Sequence, residues 1–148
     1  MNSLLEKNII NFPKKEDKIK IHRTINISRK IPISLTTKFT QQYQYLCKKI
    51  STVEWSGVLF YTLHGTVSNI TGITLEEIFL MDKGTRGYTS YEFDKEVIEF
   101  MMDNPYLLNM RIGHIHSHNT MNTFFSETDV NELEDNSPNH LLYLSVIV

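Results

Sequence analysis

Apolar positions change their spacing several times along this chain, and each change marks an element. In "KIHRTINISRKIPIS" Ile21, Ile25 and Ile27 alternate with His22, Asn26 and Ser28, the period of a half-buried strand, which Pro32 would end. From Ser34 the interval becomes helical: Leu35, Phe39, Tyr43, Leu46, Cys47 and Ile50 share one face, with Ser34 available as the cap. "EWSGVLFYTLHG" is aromatic and β-branched and closes on Gly65, and "TVSNITGITLEEIFLMDKG" supplies a further extended stretch or pair ending at Gly84. A second helix is expected where Phe93, Val97, Phe100 and Met101 align ahead of Pro105. "LLNMRIGHIHSH" then reads as a strand. "SETDVNELEDN" reads as a third helix, with Ser126 three residues before Asp129 in a capping-box arrangement. "LLYLSVIV" reads as a buried closing strand.

With 148 residues, 41% hydrophobic and 22% charged, the chain has the make-up of one soluble domain able to bury a core. Its single cysteine, Cys47, can form neither an internal disulfide nor a CxxC knuckle and is expected on a buried helix face, so a metal would have to be held by His and carboxylate. No signal-like or membrane-spanning apolar run occurs, and a cytoplasmic protein without membrane contact is expected. Charge is divided: residues 1–30 hold eight Lys or Arg against three acids, a net of +5, while the remainder carries −7. An acidic body argues against a nucleic-acid-binding core, and the basic leader reads as a solvated terminus, with a contact arm as the alternative.

Candidate chemistry gathers in "HIHSHNTMNTFFSETD", residues 114–129. Side chains two apart on a strand share a face about 6.5 to 7 Å apart, so His116 and His118 can turn toward one ion. Ser126 and Asp129, three apart on a helix, also share a face. Two imidazoles and a carboxylate are a usual set for catalytic zinc, leaving a fourth position for water. A lone strand histidine is more often an ordinary polar or core residue, and His114 is read so. Shifting the frame to His114 and His116 would require serine and aspartate where Phe124 and Glu127 stand.

The spacing His116-x-His118-x7-Ser126-x2-Asp129 resembles the signature of the JAMM (MPN+, or JAB) metalloproteases, which also have an upstream glutamate. "VEWSGVLF" offers Glu54, followed by Gly57, Val58 and Leu59 as in that family, with Glu76 and Glu77 of "TLEEIF" as rivals. The resemblance covers residues 34–148 and leaves 1–33, a basic segment with an edge strand, unexplained. It implies an α/β fold of three layers like cytidine deaminase, a central mixed sheet flanked by helices. It implies one zinc ion on His116, His118 and Asp129, Glu54 as general base, and Ser126 as donor to the tetrahedral oxyanion. The expected activity is hydrolysis of an amide in an extended peptide tail, in a ubiquitin-like modifier or a phage or bacterial protein. The alternative is a non-catalytic MPN-type scaffold. Zinc deaminases of that broader fold need a PCxxC pair that one cysteine cannot supply. Eukaryotic deubiquitinases usually have Trp or Tyr just before the motif and Pro just after it. "RIGHIHSHN" has neither, and the general look is nearer to phage and bacterial JAB-domain proteins. Residues 82–93, "DKGTRGYTSYEF", are expected to line the substrate groove, with Tyr88 or Tyr91 shaping pockets. Such domains usually continue past the strand after the motif helix, so a compact version or one lacking its C-terminal part is expected.

Overall fold

The computed structural model describes residues 30–85, 89, 95–119 and 122–148. The strand expected over 20–28 lies outside them, as do Tyr88, Tyr91 and Phe93. The chain divides into units 1–30 and 31–148, and every element below belongs to the second.

Among the described residues five strands form one mixed sheet in the order β1-β3-β2-β4-β5. They are β1 (Ile33–Leu35), β2 (Trp55–Thr66), β3 (Asn69–Lys83), β4 (Arg111–His116) and β5 (Ser145–Ile147). β2 runs antiparallel to both β3 and β4, whereas the outer strands β1 and β5 pair parallel to β3 and β4. Being central, β2 has neighbours on both edges, and its residues Trp55 to Tyr61 are all buried. That is why "WSGVLFY" reads as a continuous rather than an alternating run.

Among the described residues three helices flank the sheet: α1 (Thr37–Lys49), α2 (Lys95–Asp103) and α3 (Glu127–Asn136). Phe39 of α1 packs with Trp55, Leu59, Tyr61, Ile73, Leu75 and Ile115 in a core on one face. Val97 of α2 packs with Val58, Phe60 and Leu107 in a second core on the other face. Val58 and Leu59 are neighbours on one strand and point to opposite faces, so helices cover both sides of the sheet. Among the described residues no helix is long and apolar enough to cross a membrane.

Several boundaries differ from the sequence reading. Thr36, not Ser34, caps α1, its hydroxyl oxygen accepting from Phe39 N at 3.1 Å. Ser34 lies in β1 instead, where its hydroxyl meets that of Thr74 at 2.8 Å, and Leu35, expected on the helix, is an exposed strand residue. The extended stretch after the hairpin is one strand of 15 residues, β3. Gly65 takes a left-handed φ of 86° at the hairpin end, where a Cβ would stand 2.4 Å from Asn69 O. Pro105 opens a 3₁₀ turn over Pro105–Asn109, so "LLN" is turn and β4 begins at Arg111. β5 spans three half-exposed residues because it is the sheet's edge, and Leu141 is exposed, so "LLYLSVIV" is not a buried strand. Cys47 is half-buried against the α1 core.

The edge of β3 beyond its three pairs with β1 is met by α1. The Gln42 carboxamide accepts from Ile78 N at 2.9 Å and donates to Ile78 O at 3.2 Å, imitating a strand partner. Thr36 donates from its backbone to Leu75 O and from its hydroxyl to Glu76 O.

Candidate metal centre

The histidines stand at the C-terminal end of β4. His114, His116 and His118 are all buried and point to one face, with successive ring centroids 5.0 Å apart. β2 pairs with β4 so that Ser56 faces His116, and Ser117 N continues the ladder by donating to Trp55 O at 2.9 Å. The Ser117 hydroxyl also accepts from Trp55 N, fastening the start of β2 to the motif. Extending this register by one more pair sets Glu54 opposite His118. The β2–β3 register shifts between Ser56 and Gly57, directly beside the site. A Cβ on Gly57 would lie 2.5 Å from Phe79 O, so this bulge depends on glycine.

Ser126 caps α3 in a capping box: its hydroxyl oxygen accepts from Asp129 N at 3.2 Å, while Asp129 Oδ2 accepts from Ser126 N at 2.6 Å. The box holds the Asp129 carboxylate at the helix N-terminus, turned toward β4. Asp129 Oδ1 lies 3.1 Å from His116 Nε2, and Oδ2 lies 3.5 Å from His118 Nε2. One ligand atom from each of His116, His118 and Asp129 falls within 4.8 Å of the others, a cluster that could hold a metal ion. The donor chemistry fits: His116 Nε2 is buried without a hydrogen-bond partner, and His118 Nδ1 meets the Asn122 carbonyl at 3.2 Å. A proton on Nδ1 of His118 leaves Nε2 free to act as a ligand.

Electrostatics separate the carboxylates. Burial raises the Glu54 carboxyl above its ordinary value; a charged His118 would oppose this and the Asp129 carboxylate adds to it. Burial acts on Asp129 in the same direction, but its hydrogen bonds with Ser126 and the adjacent imidazoles outweigh it and hold the group low. One group is thus tuned toward accepting a proton, the other toward staying ionised. His116 is lowered chiefly by burial, which favours the neutral, ligating form.

Glu76 and Glu77 are elsewhere. Glu77 faces Phe60, four residues along β2 from Ser56, and its carboxylate takes Lys38 at 2.6 Å and the Tyr106 hydroxyl at 2.6 Å. Glu76 accepts from the Thr62 hydroxyl. Of the segment expected to line a groove, Thr89 places its hydroxyl 3.0 Å from Ser56 Oγ and 3.1 Å from Asp82 Oδ2. A hollow of about 260 Å³ lined by Pro32, Ser34, His64 and Gly72 lies at the β1 edge, away from the clustered ligands.

Three participants have no counterpart in the sequence reading. They are the Asn122 carbonyl behind His118, the Ser117 clamp on Trp55, and Glu132, whose Oε1 lies 3.4 Å from His114 Nδ1. The spacing Asp129 to Glu132, three residues on a helix above alternating histidines, is the signal that could have found the last. Burial lowers the His114 pKa to about 3 and, with Asp129 nearby, raises that of Glu132 to about 7. No family model matches the chain, and no curated protein matches it.

Proposed function

We propose that the chain is a zinc-dependent metallopeptidase or isopeptidase of JAMM type, built on the three-layer JAB/MPN variant of its α/β fold. It hydrolyses an amide in an extended tail of a protein substrate. The observation that carries this reading is buried Glu54, next to the Trp55–Ser117 pairing of β2 with the motif and within electrostatic reach of His118 and Asp129 although 64 residues separate it from His118 in sequence. A buried carboxylate with a raised proton affinity beside a His-His-Asp set is what metal-assisted hydrolysis needs and what a scaffold does not.

His116, His118 and Asp129 would hold the ion. When bound, zinc supplies a water ionisable near neutral pH and polarises the scissile carbonyl. Glu54 takes a proton and delivers it to the leaving amine. Ser126 Oγ already accepts from Asp129 N, so its hydroxyl hydrogen remains to donate to the developing oxyanion. Loss of one such donor typically costs roughly 3 kcal/mol of transition-state stabilisation. A His and carboxylate set also accommodates iron or manganese, so metal identity is part of the test.

Metal analysis of the purified chain, together with hydrolysis of a library of peptides and isopeptide-linked tails, tests the proposal. A tightly held zinc lost in His116→Ala and Asp129→Ala, with cleavage lost in parallel, is expected. A zinc-loaded chain that cleaves no member of the library would favour the scaffold, and a chain with no affinity for zinc would end the metal reading.

A further inference from the structure

The contact between His114 and Glu132 is as long as the approaches of Asp129 to His116 and His118 and longer than most hydrogen bonds. His114 Nδ1 and Glu132 Oε1 are 3.4 Å apart, between the 3.1 and 3.5 Å of the His116–Asp129 and His118–Asp129 approaches. N–H···O hydrogen bonds concentrate at about 2.7 to 3.2 Å. Two ligands each about 2.0 to 2.2 Å from a tetrahedral ion stand roughly 3.3 to 3.5 Å apart. Glu132 Oε1 is also buried without a hydrogen-bond partner, as His116 Nε2 is in the first set. The arrangement repeats along both elements. His114 is one strand repeat before His116, its ring stacked at 5.0 Å and 20°, and Glu132 is one helical turn after Asp129.

From this repetition we propose a second divalent-cation subsite, formed by His114 Nδ1 and Glu132 Oε1 beside the His116–His118–Asp129 set. The inference rests on the reading of that set as a metal centre. A carboxylate oxygen buried without a hydrogen-bond partner is costly, and a cation between Glu132 Oε1 and His114 Nδ1 would offset that cost. With only two ligands from these side chains, water would complete the coordination, so the subsite fills after the three-ligand set. Zinc, cobalt and manganese suit an imidazole and a carboxylate, and all three could occupy it.

Titration of the metal-free full-length chain with Zn²⁺, read as bound metal per chain by equilibrium dialysis, tests the subsite. The parent should bind two equivalents in succession. Glu132→Gln and His114→Phe, which keep shape and ring stacking, should each bind one. His116→Ala with His118→Ala should lose the tighter equivalent. Titration with Mn²⁺ adds a test of proximity: the second equivalent should broaden the electron paramagnetic resonance spectrum of the first through spin coupling. A parent that saturates at one equivalent overturns the subsite and leaves the first set standing, whereas a parent that binds none overturns both. Two equivalents retained in both Glu132→Gln and His114→Phe place the second ion elsewhere and also overturn it.

Discussion

Glu54 and Asp129 are both carboxylates near the same imidazoles, yet their surroundings push their proton affinities apart. That contrast predicts different failures. Glu54→Gln keeps size and shape while removing the proton acceptor, so the variant should retain zinc and lose about 10² to 10⁴ in kcat, the usual worth of a general base. Glu76→Gln and Glu77→Gln should stay near the parent in kcat, because those carboxylates serve Thr62 and the Lys38–Tyr106 pair instead. Steady-state kinetics with parallel metal analysis decides the matter, and a near-normal kcat in Glu54→Gln would remove it from the reaction. At this scale the sequence was informative where spacing alone brings groups together, as with His116, His118, Ser126 and Asp129. It was silent on Asn122, which acts through its backbone carbonyl, a group every residue carries.

Among elements, α3 is the one whose attachment is least hydrophobic. It has no fully buried residue, and among the described residues Asp129 approaches His116 and His118 and Glu132 approaches His114. A helix that buries no side chain completely gains less from apolar packing, so ions at these contacts would act as a fastening. Removing metal with a chelator should therefore speed amide exchange in α3 and in 122–126, while β2 and β3 keep their protection. Where metal stands at about 100 times its dissociation constant, the lost stabilisation is about 2.7 kcal/mol. Hydrogen exchange with and without chelator measures this, and uniform protection in both states would show that α3 docks without metal. The helical period that announced α1 carries face information but not ends, whereas the capping box at Ser126 and Asp129 marked the start of α3. The cap of α1 moved to Thr36 because β1 uses Ile33–Leu35 for pairing with β3, a tertiary demand that local spacing does not contain. Pro105 was legible as a stop, but the turn it opens was not, since "YLL" is equally apolar in a strand.

Across residues 31–148, "EWSGVLFYTLHG" was legible as a strand, whereas the mixed sheet with helices on both faces was expected only from the family resemblance. The order of the strands was not legible, because pairing between β2 and β4 joins segments more than 40 residues apart and depends on which edges the helices leave open. One such edge belongs to β3, where Gln42 takes the place of a sixth strand at Ile78. A side-chain amide in that position also works as a guard against self-association, since unpaired backbone on a sheet edge is a template for a neighbouring chain. Gln42→Leu should leave the fold and the metal content intact but expose Ile78 N and O, so that the variant loses monomer with time and concentration while the parent does not. Light scattering and sedimentation at matched concentrations would show it, and equal behaviour of the two proteins would mean that the bulk of α1, rather than this one carboxamide, keeps other chains away.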